Sequence, residues 1–283
     1  MKKLFFIAFT LSFLFGSDAI TIDSLFKRQI GLRSITSLSL ITSGNANIYT
    51  SYPSLIIGGD PVIWTDNKRL SLNETLIYSF NNKLDFIASF GANATRNEYS
   101  NFFTGKPMSE THYSFESLWL GFNYRFDSFS DKILSFSYQA GVIQREKALD
   151  TNKSFHFKSH SAKLNLRGYS DPAIWGIYMG FTYNDTRTFD KLAINYGNSY
   201  NFGANLSIVL SPKITLDLEA SQSFQAAQKI NGVKYTNLRS IPTYSVGSTY
   251  SINDDTSISF NASLGGGSAA PDSVFGISLW QKF

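Results

Sequence analysis

From Lys68 onward, apolar and polar side chains alternate with a period of two. In the segment 84–93, for example, Phe86 and Phe90 take one parity and Asp85 takes the other. An amphipathic helix would instead repeat its apolar side chains about every 3.6 residues. Alternation over about ten residues is typical of a β-strand with one apolar and one polar face. This pattern constrains the fold more than any other feature of the chain.

Twelve segments show the pattern. They predict an all-β fold, a closed antiparallel up-and-down transmembrane β-barrel of about 12 strands. Closure pairs every backbone donor and acceptor, which an open sheet edge in lipid would leave unpaired. The predicted strands lie at residues 32–42, 69–80, 84–93, 118–126, 134–142, 162–167, 175–183, 202–210, 214–220, 244–250, 258–264 and 275–283.

The connections between these segments alternate in length. Outer-membrane barrels have short periplasmic turns and long extracellular loops, so both chain ends are expected at the periplasmic rim. The short turns are expected at 81–83, 127–131, 169–172, 211–213 and 253–255. The polar loops are expected at 43–67, 95–111, 144–156, 184–198, 225–239 and 265–272.

The first residues indicate export. Lys2 and Lys3 precede the apolar run 4–15, and the small residues Ser17 and Ala19 follow it. This order of charge, short apolar run and small residues is typical of a secretory signal peptide, with cleavage predicted after Ala19. The predicted division is a signal peptide at 1–19, an N-terminal periplasmic or lumen segment at 20–31, and the barrel at 32–283.

The segment between the signal peptide and the barrel has two interpretations. Asp23 would cap a short helix that carries Leu25 and Phe26 on one side and ends at Gly31. Such a helix would sit in or under the lumen as a small plug. The alternative is a flexible lead-in to the first strand.

Composition supports the barrel and excludes other classes. The chain has 25 Phe, 15 Tyr and 4 Trp, yet its mean hydropathy is only −0.11, as expected when alternate residues alone are apolar. The absence of cysteine excludes disulfides and thiolate metal sites. A net charge of +4, evenly scattered, gives no basis for nucleic-acid binding. We therefore expect a bacterial outer-membrane protein with no cofactor, no metal site and no nucleic-acid partner.

The polar parity is expected to line the lumen. Small polar side chains leave room for water there. Charges of both signs would either form a transverse field that selects solutes or neutralise one another as ion pairs. Three inward rings would either contact aromatic or apolar solutes or pack under the N-terminal segment. The candidate lumen-lining residues are Arg69, Asp85, Trp119, Asn123, Arg125, Lys163, Arg167, Tyr178, Asp217, Glu219, Trp280 and Lys282.

One residue breaks the pattern. Glu74 takes the lipid-facing parity of its segment. A charge there costs about 2–4 kcal/mol for a basic residue at mid-depth, and somewhat less for an acidic one. A β-bulge or register slip near Asn73 would turn Glu74 away from lipid, and this is what we expect.

An enzymatic alternative rests on two residues. Outer-membrane phospholipase A is also a twelve-stranded barrel, with a His and a Ser on its lipid face. Here His112 and Ser114 share the outward parity at the outer end of the predicted fourth strand, where a general base could reach a hydroxyl. The sequence lacks the Asn-Gly that follows the serine in that family. Lipid hydrolysis is therefore an alternative only, and no catalytic residue is predicted. His156 and His160 are expected to flank a loop in solvent.

Two stretches carry a family resemblance. They are Leu72–Phe80 followed by Lys83–Phe86, and Ser117–Phe126. Both resemble strands of the outer-membrane proteins associated with the meta-cleavage pathway of phenol degradation, a family of transporter-like barrels. The resemblance implies passage of small, often aromatic or apolar solutes and supplies no catalytic residue. A surface-exposed structural or adhesive barrel that uses the long outer loops is a further alternative.

The last residue predicts a partner. Phe283 follows alternating apolar residues and resembles the C-terminal signal that the barrel-assembly machinery reads, although Gln281 interrupts the alternation. The expected partners are therefore this machinery through Phe283, outer-membrane lipid and a small-molecule solute.

Overall fold

The structure, a computed structural model, describes residues 30–43, 56–57, 60–101, 104–126, 132–148, 151–190, 192–234, 236–265 and 273–283. Within this part of the chain, no helix has the length and apolar character needed to cross a membrane. The described strands are β1 (Gly31–Ser43), β2 (Ile56–Ile57), β3 (Asp60–Ser79), β4 (Leu84–Asn101), β5 (Pro107–Arg125), β6 (Lys132–Ala148), β7 (Thr151–Phe155), β8 (Ser159–Ser170), β9 (Ala173–Asn184), β10 (Arg187–Thr188), β11 (Ala193–Asn195), β12 (Ser199–Ser211), β13 (Ile214–Gln225), β14 (Lys229–Ile230), β15 (Val233–Lys234), β16 (Arg239–Ser251), β17 (Thr256–Gly265) and β18 (Ser273–Lys282).

Twelve of these strands close into an antiparallel barrel, which confirms the predicted fold. Their order is β1-β18-β17-β16-β13-β12-β9-β8-β6-β5-β4-β3, and β3 pairs back with β1. The closing pair runs from Gly31 opposite Ser79 to Ser43 opposite Asn67. Phe283 donates its backbone N–H to the carbonyl oxygen of Leu32 at 3.0 Å. The start of the first barrel strand and the end of the last therefore lie side by side at the same rim.

The outer face of the barrel is apolar. Large side chains of one parity, including Leu72, Phe86 and Ile177, are exposed along the strands. Exposed rings lie near both ends of the strands, as Tyr78 and Tyr200 do at opposite rims. An apolar band between aromatic girdles is the surface that an outer-membrane barrel presents to lipid. The chain is therefore an outer-membrane β-barrel.

The strands on one side are much longer than predicted. β3, β4 and β5 have 20, 18 and 19 residues, and only residues 102–106 separate β4 from β5. The expected loop at 95–111 is therefore wrong for most of its length. A spanning strand needs about 9–11 residues. Beyond the bilayer both faces of a strand meet water, so the apolar parity ends while the backbone pairing continues.

Glu74 faces lipid without a bulge. The registers of β3 with β1 and with β4 are continuous from Asn67 to Ser79, so the expected slip near Asn73 is wrong. Thr36, the residue opposite in β1, donates its hydroxyl to Glu74 Oε2 at 2.5 Å. A hydrogen-bond partner on the same face reduces the cost of taking the carboxyl group out of water.

The outer loops contain a small folded unit, which we call the outer cap. Strands β10, β11, β14 and β15 form a separate four-stranded sheet from the β9–β12 and β13–β16 connections. The β14–β15 turn is Asn231-Gly232, with φ of 50° and 81°, the positive pair that a two-residue hairpin requires. Phe155, Phe189 and Ile194 form a buried apolar cluster beside it. The loops expected at 144–156, 184–198 and 225–239 are therefore partly strands.

Several predictions fall outside the described residues. They are the signal peptide at 1–19, the N-terminal segment at 20–31 except its last two residues, the turn at 127–131, and the loop at 265–272 except Gly265. Of the loop expected at 43–67, residues 44–55 and 58–59 also lie outside, and the expectation is wrong at 60–67, which belong to β3.

Candidate functional site

The candidate site is the inner wall of the barrel. It consists of residues of the parity opposite to that of the exposed apolar side chains. The register places every candidate lumen-lining residue on this parity. They are Arg69 on β3, Asp85 on β4, Trp119, Asn123 and Arg125 on β5, Lys163 and Arg167 on β8, Tyr178 on β9, Asp217 and Glu219 on β13, and Trp280 and Lys282 on β18.

Asp85 is held in a network near the periplasmic rim. Its side chain is buried, Ser79 donates to Oδ1 at 2.6 Å, and Asn123 donates to Oδ2 at 3.1 Å. Arg33 Nη2 donates to Ser79 Oγ at 3.0 Å and lies 3.5 Å from Asp85 Oδ1. The negative charge of Asp85 is thus compensated within the wall. Arg33 is missing from the predicted residues because the first strand had only approximate bounds.

A second ion pair lies nearer the outer end of the barrel. Arg69 contacts the carboxylate of Glu116, which also accepts a hydrogen bond from Asn93 Nδ2 at 3.2 Å. Glu116 occupies an irregularity of β5, where Gly91 faces Ser117 and the next residue, Ala92, faces Phe115. Strict alternation cannot find a residue at a bulge, so the sequence reading missed Glu116.

Tyr178 lies flat against the wall. Its hydroxyl donates to Glu219 Oε1 at 2.6 Å across the intervening strand β12. A Cβ atom on Gly203 of that strand would lie 2.6 Å from the Tyr178 hydroxyl oxygen, so only glycine fits beneath it. Lys163 Nζ sits 3.8 Å from the ring centroid as a cation–π contact. Tyr178 is therefore a structural link between Lys163 and Glu219.

Asparagine side chains also lie flat over glycines. Asn201 and Gly180 face each other in the β12–β9 register, and a Cβ atom on Gly180 would lie 2.2 Å from Asn201 Oδ1. Asn261 and Gly276 repeat the arrangement, also at 2.2 Å. Each glycine lets the opposite amide lie along the wall and not across the lumen. This keeps the interior wide.

Asp217 is satisfied by hydroxyl groups. Ser207 donates to Oδ1 at 2.6 Å, and Thr249 donates to Oδ2 at 2.9 Å. Strands β12 and β16 flank β13, so the two donors come from both sides of the carboxylate. Hydrogen bonds to a carboxylate stabilise its charged form.

Three cations form what we call the basic cluster: Arg125, Lys163 and Arg167. Arg125 is repelled by Arg167 and by Arg33, whereas Lys163 is attracted by Glu219 and, less strongly, repelled by Arg167. In the chain segments that the structure describes, no carboxylate pairs with Arg167. Lys163 and Arg167 are exposed although they lie on the inner wall. In this part of the chain, therefore, ion pairing does not account for the charge of Arg167.

The remaining aromatic candidates differ in exposure. Trp280 is 46 % exposed on the inner wall, opposite Ile35 and Ser257. Trp119 is half-buried, and its indole N–H donates to Ser117 Oγ at 3.2 Å. Lys282, at the end of β18, donates to the backbone oxygen of Asp254 at 2.8 Å in a periplasmic turn. Trp280 is the candidate ring with the most surface available to a solute.

The outer cap holds a buried ion pair. The Arg187 side chain is 2 % exposed, with Nε 2.5 Å from Glu146 Oε1 and Nη2 donating to Ser159 Oγ at 2.7 Å. Tyr196 donates its hydroxyl to Glu146 Oε2 at 2.8 Å and presents its ring 4.7 Å from the Arg187 guanidinium carbon. Burial raises the pKa of Glu146, and the opposing effects of Arg187 and Tyr196 do not fully offset it. These charges are compensated within the cap.

A second ion pair of the cap is open to solvent. Lys158 Nζ lies 2.5 Å from Asp185 Oδ2, and both side chains are about one third or more exposed. The hydrogen bond from Lys158 and the backbone N–H of Thr186 lower the pKa of Asp185. This pair ties the start of the β9–β12 connection to the residue that precedes β8.

The register removes the geometric basis for a lipid-facing hydrolase. Beyond the irregularity at Glu116, His112 lies opposite Thr95 and Ser114 lies opposite Asn93, on the parity of the inner wall. Tyr113 and Phe115 take the outward parity and are exposed. The outward parity expected for His112 and Ser114 is therefore wrong, because one extra residue in a strand reverses the faces beyond it.

The other histidines have hydrogen-bond partners. His160 lies within β8, where its Nδ1 is 2.8 Å from the Tyr138 hydroxyl and its Nε2 is 3.1 Å from the Phe157 carbonyl oxygen. His156 Nδ1 is 2.9 Å from the carbonyl oxygen of Val142. His156 and His160 thus flank the short connection between β7 and β8. Among the described residues, no three His, Cys, Asp or Glu side chains are grouped to hold a metal ion.

Comparison with known proteins shows the fold. No family model matches this chain, and no curated protein matches its sequence. An outer-membrane channel from Pseudomonas putida F1 superposes with a TM-score of 0.61 and 11% identity, over 90% of this chain and 97% of that one. The transport unit of the autotransporter AIDA-I from Escherichia coli superposes with a TM-score of 0.50 and 10% identity, over 95% and 93%. These likenesses show that the chain shares their fold.

Proposed function

We propose that this protein is an outer-membrane channel that passes small solutes through the barrel lumen. The observation that carries the proposal is the exposure of Lys163 and Arg167 on the inner wall of a barrel whose outer face is apolar. Charged side chains keep exposed surface inside a barrel only where the interior has room for water. The flattened amides over Gly180 and Gly276 add to that room.

The proposed solutes are small and include aromatic compounds. The resemblance of Leu72–Phe80 and Ser117–Phe126 to the transporter-like family implies such solutes. The exposed ring of Trp280 near the periplasmic end supports this class, since an aromatic face offers contact to flat apolar groups. Trp119, half-buried on the same wall, is a second contact.

The route to the membrane is part of the proposal. Residues 1–19 would direct export and be removed after Ala19, and Phe283 would present the C-terminal strand to the barrel-assembly machinery. Phe283 is 73 % exposed at the rim, which leaves its ring accessible. Replacing Phe283 with Ala is expected to lower the amount of folded barrel in the outer membrane, measured as the heat-modifiable band on gels.

Solute flux into liposomes tests the channel directly. Liposomes carrying the refolded protein are compared with empty liposomes for uptake of a sugar, an inorganic salt and a small aromatic compound. Uptake of at least one solute above the empty control supports the proposal, and uptake of the aromatic alone supports the narrower class. Absence of all three fluxes, with the barrel folded, would overturn it.

A further inference from the structure

We propose that the basic cluster is an oxyanion-binding site on the solute pathway, so that the channel favours carboxylate or phosphate solutes over neutral and cationic ones. This inference rests on the proposed channel function and names the solute class for it. The site consists of Arg125, Lys163 and Arg167 on two strands that β6 separates.

The register brings the three cations to one patch of wall. Arg125 lies opposite Ser135 of β6, and Ser135 lies opposite Asn165 of β8. Lys163 and Arg167 lie two residues on either side of Asn165 and therefore share its face. The three residues thus lie on one patch of the wall, where the ammonium group of Lys163 rests over the Tyr178 ring of the next strand, β9.

The strand between the cations, β6, carries short side chains at the level of Asn165. The β6 residues at this level are Ser135 and Ser137, whose hydroxyls lie 3.5 Å from the backbone carbonyl oxygens of Asn165 and Lys163. Both side chains are short and are directed along the sheet. Between Arg125 and Asn165, β6 therefore presents only short side chains, while Ile133 of β6 lies opposite Arg167.

The local charge favours an anion. Two acids of the inner wall accept hydrogen bonds from other groups: Asp85 from Ser79 and Asn123, and Glu219, which also attracts Lys163, from the Tyr178 hydroxyl. Within the described chain, Arg167 has repulsive interactions with Arg125 and Lys163 and no carboxylate partner. Like charges held together destabilise one another, and a bound anion relieves that repulsion.

The chemistry of the cations matches an oxyanion. A guanidinium group offers a planar pair of donors that fits a carboxylate or a phosphate, while an ammonium group adds a point charge. Lys163 and Arg167 are exposed, so a solute in the lumen can reach them. Binding on an open wall is weak enough for the solute to leave, as permeation requires.

Zero-current potentials in planar bilayers test the inference. Under a KCl gradient, the native channel is expected to be more permeable to anions than to cations. The double variant Arg125→Gln and Arg167→Gln is expected to lower the anion-to-cation permeability ratio by at least about fivefold, because loss of one anion–cation pair about 4 Å apart in water already gives about that factor. The matched control is Arg96→Gln, which removes the same kind of charge from an exposed position on the outer part of β4. This control should leave the ratio unchanged.

Blocking experiments identify the solute. Benzoate and phosphate are added separately, with benzyl alcohol as a neutral compound similar in size to benzoate. Reduced conductance with either anion and not with benzyl alcohol, lost in the double variant, supports the site and shows which oxyanion it takes. A conducting channel without anion preference, or a double variant that behaves as the native protein does, overturns the inference and leaves the channel function standing. A folded barrel without any conductance overturns the channel function itself.

Discussion

The outer cap and the basic cluster both hold charged side chains, and they differ in how those charges are compensated. In the cap, Arg187 and Glu146 are buried against each other, Tyr196 donates to Glu146, and Arg187 donates to Ser159. In the basic cluster, Arg167 is exposed and has cations for neighbours.

The difference separates a structural role from a functional one. A buried ion pair holds together the segments that carry it, and removing one partner leaves the other charge uncompensated. An exposed cation on a water-filled wall stabilises little, because water screens it. We therefore expect mutations in the cap to change stability and mutations on the inner wall to change permeation.

The largest effect is expected for Arg187→Met. It leaves the Glu146 carboxylate buried without its counter-charge, which costs about 3–5 kcal/mol in comparable buried pairs. The measurement is the rate of protease cleavage within residues 184–198 of the refolded protein, with heat-modifiability reporting that the barrel is intact. The control is Lys153→Met, because Lys153 belongs to the same region but is exposed. The double variant Arg187→Met and Glu146→Leu should recover much of the protection. Native resistance in Arg187→Met would contradict the structural role.

A smaller loss of stability is expected for Gly197→Ala in the cap. Gly197 has a φ of +75°, and a Cβ atom there would lie 2.3 Å from the backbone oxygen of Ala226. The backbone cannot move away as a side chain could, and a non-glycine residue in this conformation costs about 1–3 kcal/mol. The same cleavage assay should show faster proteolysis while single-channel conductance stays close to native. Unchanged protection would show that the cap tolerates rearrangement.

A glycine-to-alanine substitution on the inner wall should change conductance and leave stability nearly unchanged. In Gly180→Ala the new Cβ atom would meet Asn201 Oδ1 at 2.2 Å, and the flexible amide would turn into the lumen. We expect little change in stability and a modest fall in single-channel conductance. Adding Asn201→Ala should restore the conductance. A stability loss as large as that of Gly197→Ala would erase the distinction between the two regions.

The smallest effect is expected from pH. The pKa of Asp185 is lowered, mainly by the hydrogen bond from Lys158. A lowered pKa of an acid means that its contribution is complete above the unfolded-state pKa, about 3.9 for Asp, and is lost as pH falls through the lower, folded value. Cap protection from an acid-active protease should therefore weaken in acid, and Asp185→Asn should reduce that dependence. Because the pair is exposed, the change should be small, and an equal dependence in both proteins would assign it to other groups.

Much of the barrel can be predicted from the sequence, because lipid on one face of a strand and the polar interior on the other select alternating apolar and polar residues. Leu84, Phe86 and Phe90 face lipid while Asp85 faces the interior. The difference in polarity between adjacent residues therefore predicts which side chain faces which environment. The same alternation assigned Arg125 and Arg167 to the inner wall.

The alternating pattern gives the wrong face where the pairing with a neighbouring strand is irregular, and it gives no reason for a charge on the lipid face. One extra residue at Glu116 reverses the faces beyond it, so His112 and Ser114 take the parity of the inner wall. Glu74 keeps its register because Thr36, distant in sequence, supplies a hydrogen bond. Both outcomes depend on a neighbouring strand, which a single segment cannot reveal.

The sequence by itself determined that the chain forms a barrel, how many strands the barrel has and which residues of each strand face lipid. These features depend on the alternation of apolar and polar residues along each strand. The tertiary structure alone decided the outer cap and the basic cluster. Arg187 meets Glu146, and Arg125 approaches Arg167, only when strands far apart in the chain are paired. The physical reason is that solvation acts residue by residue, whereas charge compensation depends on distances that only barrel closure sets.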